Sequence, residues 1–487
     1  MNSLCQVAKS LSRRRMFTSN SRILASSFMK RTTRMSTRYH NTATVTKTTT
    51  SLSPLLPTTL NEPRLPASSQ QLAERLQPLA DLWGLDDRYQ GNEHCLSNSA
   101  LSKERLLSVL ALPLPGEEGW EADEAKAILR GLYTAANVAC TRHHQDKVHY
   151  RGLLEFSNIC KSDCNYCGIR RSKHQTRFTL KEEEIMEVAH WANERQYGSI
   201  MLQSGEVQTK KRLDFLCRTI KRIVAETGMG VSLSVGELPD KYYERLFEAG
   251  AKRYLLRIET SNPELFASIH PPDQTFASRL EHLRALKKTG FMLGTGVMIG
   301  LPGQTREDLA GDLLFFQQEG VDMIGMGPYI LQRGTPTGDV WEEMHPELSR
   351  ATRGKEDNTA SSKDLKMLDA HHAAMFELTT RMVALSRILL GDVNIAATTA
   401  LQTIHPTGRE VALMRGANIM MPILTPTSHR AHYQLYEGKV CMDESAKECR
   451  SCLEGRVAAA GKKIAYGEQG DPPSYIRRKE EKQTAAT

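Results

Sequence analysis

From Arg151 onward, short runs rich in Val, Ile, Leu and Met alternate with longer stretches whose apolar residues recur every three or four positions. The short runs have the length and composition of buried strands, and the longer ones the period of amphipathic helices. Strands are predicted at 151–157, 199–203, 230–235, 254–259, 293–299, 322–327, 393–397 and 418–421. Helices are predicted between them at 183–197, 214–227, 240–249, 277–289, 305–319, 365–390 and 408–415. Gly198, Gly228, Gly250, Gly290, Gly320 and Gly391 stand just past helices, where a left-handed residue closes the last turn. Strands alternating with helices in this way predict an α/β fold, a closed parallel (β/α)8 barrel of TIM type. An open doubly wound sheet is the competing arrangement.

The barrel is expected to occupy residues 149–437, with a polar surface insertion at 345–363 that has no apolar period. Ahead of it, residues 62–148 read as an N-terminal helical cap, with helices at 72–83, kinked by Pro78, and at 121–136. Residues 438–466 form a separate C-terminal segment, and the polar stretch 467–487 reads as a disordered tail.

Charge changes the picture only at the N-terminus. The net charge is +8, yet residues 1–61 hold ten Lys or Arg and no Asp or Glu, leaving 54 basic against 56 acidic residues in the remainder. A basic, Ser- and Thr-rich leader without a continuous apolar core has the profile of an organelle transit peptide. An organelle matrix (mitochondrion, hydrogenosome or plastid stroma) is the expected location, a plain disordered tail being the other reading. The near-neutral body offers no electrostatic reason for nucleic-acid binding, and no run of about 18 apolar residues suggests a membrane span.

Six of the ten cysteines fall into two metal-like groups, while Cys5, Cys95, Cys140 and Cys217 are scattered, which fits a reducing compartment better than a disulfide framework. Cys160, Cys164 and Cys167 make the pattern C-x3-C-x2-C, with Tyr166 before the last, directly after the first strand. Three thiolates can hold only three irons of a 4Fe–4S cluster, and the fourth iron is left to bind another molecule. A zinc site is the alternative, although structural zinc prefers four ligands, often as paired C-x2-C units. The reactive ends of barrel strands lie at their C-termini, where this loop falls.

Other strand ends carry polar groups. Gln203, Ser204, Gly205 and Glu206 end the second strand, where a glycine permits close backbone approach and a carboxylate can receive an ammonium group. Arg257 and Glu259 are two apart, so both face one side of the sheet, as a buried ion pair or as ligand-binding charges. Gly294–Gln304 is glycine-rich without being a phosphate loop, and would let a flat adenine lie against the backbone or simply form turns. Thr398 and Thr399 follow the seventh strand, and Tyr433 and Tyr436 come three apart after the eighth. Helix capping and ordinary packing explain these equally well. Cys441, Cys449 and Cys452 form a second group, spaced x7 and x2, for an iron–sulfur cluster or a zinc site completed elsewhere.

Taken together these segments resemble the HydE-type radical-SAM maturases of FeFe-hydrogenase, within the biotin-synthase-like group, over roughly residues 145–460. The resemblance rests on Cys-Asn-Tyr-Cys-Gly-Ile-Arg-Arg171, Leu-Gln-Ser-Gly-Glu206, Ser-Leu-Ser-Val-Gly-Glu237 and Tyr-Leu-Leu-Arg-Ile-Glu-Thr260. It continues through Gly-Leu-Pro-Gly-Gln-Thr305, Asp-Met-Ile-Gly-Met-Gly-Pro328, Ala-Ala-Thr-Thr-Ala-Leu401, Tyr-Gln-Leu-Tyr436 and the final cysteine spacing. It implies a 4Fe–4S cluster on Cys160, Cys164 and Cys167 that chelates S-adenosyl-L-methionine. Tyr166, Gln203, Ser204, Gly205, Glu206, Ser232, Glu259 and Arg279 would form the cofactor site. Arg257, Thr398, Thr399, Met421, Tyr433 and Tyr436 would line the substrate cavity, and Cys441, Cys449 and Cys452 would hold a dispensable second cluster. The implied activity is reductive cleavage to a 5′-deoxyadenosyl radical, which attacks a small-molecule or iron carbonyl–cyanide precursor of the di-iron site. Implied partners are an electron donor such as ferredoxin, the tyrosine-lyase maturase and the GTPase scaffold.

One departure stands out: the family usually has His between the Arg and the Glu, where this chain has Ile258. Biotin synthase is the nearest enzymatic rival, but its Tyr-Asn-His-Asn-type segment is replaced here by Leu256-Arg-Ile-Glu-Thr260. Methylornithine synthase would not be expected to carry the second cysteine group. A non-catalytic iron–sulfur carrier is the reading from a different class.

Overall fold

The apolar runs become eight parallel strands: β1 (Lys147–Ser157), β2 (Ser199–Ser204), β3 (Gly230–Ser234), β4 (Ala251–Leu255), β5 (Met292–Thr295), β6 (Met323–Ile324), β7 (Asn394–Ile395) and β8 (Ile419–Met420). The computed structural model describes residues 101–484. The expected transit segment 1–61, the expected helix 72–83, Cys5 and Cys95 lie outside the described residues. Neighbours in the sheet run β8-β1-β2-β3-β4-β5-β6-β7. The sheet curls until its edges meet through the Ala396–Ile419 bridge, where Asn418 N donates to Ile395 O at 3.0 Å and Ala397 N to Ile419 O at 2.9 Å. The expected closed parallel arrangement is therefore present, thick on the β1–β5 side and reduced to two-residue strands on the other.

Strand ends differ from the apolar runs. The run 293–299 breaks after Thr295, because Gly296 lies against Gly325: a Cβ there would stand 1.9 Å from the Gly325 carbonyl oxygen. Beyond the break, Met298–Ile299 pairs instead with Gly327–Pro328 as a separate small sheet. Gly294 and Gly296 thus serve strand packing, and neither lines the central cavity. The fourth strand ends at Leu255, so Arg257 and Glu259 lie beyond it in irregular backbone, with Glu259 at φ +65°.

Helices follow the predicted alternation, and their ends have identifiable causes. The helix Arg306–Glu319 begins with a capping box between Thr305 and Asp308 and closes on left-handed Gly320. The first barrel helix, Glu182–Glu194, does not use Gly198; Gln196 takes the left-handed conformation instead. The 29-residue helix Ser362–Leu390 packs against Asp123–His144, which starts two residues later than the expected 121–136 helix and extends past its end. Fully buried Arg381 donates to the carbonyls of Leu112 (2.7 Å), Pro113 (3.1 Å) and Val109 (3.2 Å), satisfying acceptors left over where the helix Lys103–Leu110 ends. No helix among the described residues is long and apolar enough to cross a membrane.

Two expectations for polar segments are corrected. Within 345–363, Pro346–Glu356 is helical and buries Leu348 and Ala351 in a cluster with Leu368 and Trp341. The segment 467–484 is also ordered, ending in the helix Pro473–Thr484. Its anchors are buried charges in the barrel floor, which an apolar-period argument cannot see. Arg253, fully buried in β4, donates to Gln469 O at 3.0 Å and pairs with Asp471. Arg151 in β1 and Asn394 in β7 both donate to Gly470 O, at 3.3 and 2.8 Å. Asp322 pairs with Arg478.

Candidate active site

β1 runs into the cysteine loop, which is tied down by its own side chains before any metal is considered. Arg177 donates to the carbonyls of Asn158 (2.6 Å), Ile169 (2.8 Å), Arg170 (2.6 Å) and Lys173 (2.9 Å). Asp163 accepts from Arg170 Nε at 2.8 Å and from Ser172 N at 3.0 Å, and the Arg170 bond holds its carboxyl well below the usual range. Asn158 donates to Thr176 O and His432 O and accepts from Phe178 N. The loop therefore presents its thiols from a preformed frame.

Cys160, Cys164, Cys167 and Tyr166 all face one central cavity of about 380 Å³ at the C-terminal ends of the strands. Cys160 Sγ accepts from Glu206 N at 3.4 Å, and Cys164 Sγ lies 3.4 Å from Gln274 Oε1. Burial pushes all three thiols up, Cys167 to about 12, so the metal-free thiols are protonated and must release protons when they take iron. No three His, Cys, Asp or Glu side chains among the described residues close around a single point. A cubane does not require that, because each thiolate takes a separate iron. Three thiols on one short loop facing a closed-in cavity fit a 4Fe–4S cluster.

Gly205 shows how closely this loop is built against β2. A Cβ at that position would lie 2.4 Å from Ile159 O and 2.7 Å from Cys160 Cβ. Gly205→Ala is therefore expected to displace Cys160; iron and sulfide content after anaerobic reconstitution should fall to less than about half, with the far-UV spectrum unchanged. Normal cluster content would contradict the close-packing argument.

Gln203, Ser204, Gly205 and Glu206 reach the cavity together, as expected. The role expected of Glu206 is not free for it, however. Its Oε2 accepts from Glu237 N at 2.7 Å and its Oε1 from Ser162 Oγ at 3.2 Å, so the carboxylate ties β2 to β3 and to the cysteine loop. Ser232 is corrected as well: it is fully buried within β3, below the cavity, and Ser234 two residues on lines it instead. Both point inward by strand parity, and only the position of the strand's end distinguishes them.

Arg257 and Glu259 both face the cavity and pair at 2.9 Å, while Tyr166 Oη donates to Glu259 Oε1 at 3.3 Å. Ile258 between them is fully buried in the hydrophobic core and gives its N–H to Thr295 Oγ1 at 3.0 Å. The departure from the family pattern thus lies on the core side. Arg279 also reaches the cavity, but its Nε is held at 2.5 Å by Glu237, a buried partner that the sequence reading missed. Gln274 was missed too, and nothing in its Pro-Pro-Asp-Gln context signals a cavity residue.

Thr398, Thr399, Met421, Tyr433 and Tyr436 also line the cavity, and the segment bearing Tyr433 packs on the cysteine loop, where Gly168 N donates to Leu435 O at 3.0 Å. Thr398 Oγ1 donates to Met326 O at 2.9 Å, Thr399 Oγ1 accepts from Arg409 at 3.1 Å, and Gln203 Nε2 donates to Tyr433 Oη at 3.3 Å. Glu155 and Lys439, neither anticipated, form a buried ion pair at the cavity, 2.5 Å apart. The second cysteine group is only partly assembled: Cys441 and Cys449 are hydrogen-bonded to each other, while Cys452, one helical turn on, bonds Arg456.

Residues 154–316 match the Radical SAM superfamily. Among solved structures, methylornithine synthase shares the fold (TM-score 0.58, 20% identity, 75% of this chain and 95% of that one). So does the FeFe-hydrogenase maturase HydG (TM-score 0.58, 15% identity, 82% and 77%). Fold, cysteine loop and superfamily match define a radical-SAM enzyme. The hydrogenase maturase subunit HydE of Thermotoga maritima is 41% identical over 333 residues, covering 68% of this chain and 86% of that protein. Biotin synthase of Leptospira biflexa is 32% identical over 225 residues, 44% of this chain and 63% of its own length. The chain belongs to the HydE family of radical-SAM maturases.

Proposed function

We propose that this chain cleaves S-adenosyl-L-methionine reductively and applies the resulting chemistry to a precursor of the FeFe-hydrogenase di-iron site. When bound, the cluster supplies an electron to the sulfonium and releases methionine and a 5′-deoxyadenosyl radical. The observation that carries this reading is the meeting of three cluster thiols and a polar strand-end set in one cavity, in a chain of the HydE family. Gln203, Ser234, Glu259 and Arg279 line that cavity with the three cysteines and would hold the cofactor's amino acid and ribose groups. Arg257, Thr398, Thr399, Met421, Tyr433 and Tyr436 would receive the substrate, with Arg257 suited to an anionic group. A carbon radical abstracts hydrogen from nearby C–H bonds, so the barrel's contribution is to fix the substrate and exclude water.

Cys441, Cys449 and Cys452 would carry a second, dispensable cluster, a reading supported by the adjacency of the first two thiols and by their spacing. The tyrosine-lyase and GTPase-scaffold maturases would be its partners, a small iron–sulfur protein its electron donor, and an organelle matrix its location. Anaerobically reconstituted protein with dithionite should convert S-adenosyl-L-methionine to 5′-deoxyadenosine and methionine, read by liquid chromatography. Absence of both products would favour the non-catalytic carrier instead. Maturation is tested separately: adding the chain to an extract lacking its HydE should restore hydrogen evolution by co-expressed FeFe-hydrogenase.

A further inference from the structure

The cysteine loop is a basic stretch within a body that is slightly acidic as a whole. Residues 158–179 hold five Lys or Arg against one Asp; removing them from 54 basic and 56 acidic residues in 62–487 leaves 49 against 55. Three of the five are occupied: Arg170 by Asp163, Arg177 by backbone carbonyls and Lys161 by Glu206 at 3.5 Å. Lys161, Arg171 and His174 are exposed, Lys173 is half-buried, and neither Arg171 nor Lys173 has a salt bridge among the described residues. Beside them Ile159, next to the first thiol, exposes 41% of its surface, one of few large apolar side chains to do so.

An exposed aliphatic residue beside two cations without an ion-pair partner, Arg171 and Lys173, is the anatomy of a small, transient interface. Its place decides what it would receive. These residues are exposed on the same loop whose thiols line the cavity, so a partner seated here is separated from the cluster position by that loop alone. We infer that this face docks a small acidic iron–sulfur electron carrier, with Ile159 as its apolar contact and Arg171 and Lys173 steering the encounter. The inference rests on the radical-SAM reading of the cavity. One electron passes from the reduced carrier to the cluster, the carrier being oxidised; no bond is made or broken at the interface. Opposite charge raises association rates and makes them salt-dependent.

The test compares full-length protein with Arg171→Glu/Lys173→Glu and with Lys363→Glu/Lys366→Glu, an equal charge change on two exposed lysines elsewhere. The backbone carbonyls of Arg171 and Lys173 that hold Arg177 are untouched by the side-chain changes. Cluster reduction is followed by EPR, driven either by a plant-type [2Fe–2S] ferredoxin kept reduced by its reductase or by dithionite. The loop variant should lose about tenfold or more in ferredoxin-driven rate at low salt and most of its salt dependence. The control variant should match wild type, and all three proteins should be reduced by dithionite alike. Calorimetry of ferredoxin with the cluster-free proteins should show the same ranking of affinity. Equal ferredoxin-driven rates in the loop variant and wild type would overturn the docking face while leaving the cluster reading intact. Failure of wild type to be reduced by dithionite would overturn both.

Discussion

Cys164→Ala should lower 5′-deoxyadenosine formation at least about 100-fold while leaving the fold in place. The physical reason is one of counting. With three thiols available, each holds one iron, and losing one leaves a second iron without a protein ligand. The variant should fold because the loop's frame does not depend on this thiol: Arg177, Asp163 and Asn158 tie it through contacts of their own. Among the described residues Cys164 Sγ has Gln274 as its hydrogen-bond partner, so little else is left unsatisfied. Far-UV circular dichroism should therefore match wild type, while the cluster EPR signal and its response to S-adenosyl-L-methionine are lost. Cleavage at near wild-type rate would refute the site. Cys441→Ala, by contrast, should retain most of the cleavage activity if the second group is dispensable.

Lys439→Met should cost about 3–5 kcal/mol of stability, the penalty for stranding a buried charge. Lys439 Nζ lies 2.5 Å from Glu155 Oε1, with side chains only 6% and 1% exposed, and it also donates to Tyr433 O at 3.1 Å. Removing it leaves the Glu155 carboxylate in the barrel wall with Thr425 Oγ1, at 3.2 Å, as its remaining side-chain partner. Glu155→Gln/Lys439→Met removes the charge altogether and should recover more than half of the loss. Denaturant unfolding of the single and double variants checks both statements. A single variant within about 1 kcal/mol of wild type would show that the pair is not desolvated. Because Lys439 precedes the second cysteine group, its loss should also loosen that segment, seen as faster hydrogen exchange around Cys449.

Parallel strands buried on both faces are short apolar runs, and amphipathic helices repeat at their own period, so both were legible. The cysteine loop was legible because metal ligation fixes residue type and local spacing at once. Most cavity residues were reached through the resemblance: strand ends set at Gln203, Glu259, Thr398 and Met421 do converge. Where reading failed, the missing quantity was long-range. Ser232 and Ser234 have the same parity, and only the strand's actual end puts the second at the cavity. Glu206 looked like a free carboxylate because nothing local reveals that the Glu237 N–H, 31 residues away, would take it. The tail 467–484 looked disordered because its partners, Arg151 and Arg253, are buried charges in distant strands.

What the chain by itself determined is the order of its elements and the chemistry of one loop, since both depend on neighbours a few residues apart. Tertiary structure alone decided which charges are satisfied: Arg279 by Glu237, Lys439 by Glu155, Arg253 by the C-terminal segment. A buried charge is stable only beside its counterpart, and those counterparts come together only when the barrel closes.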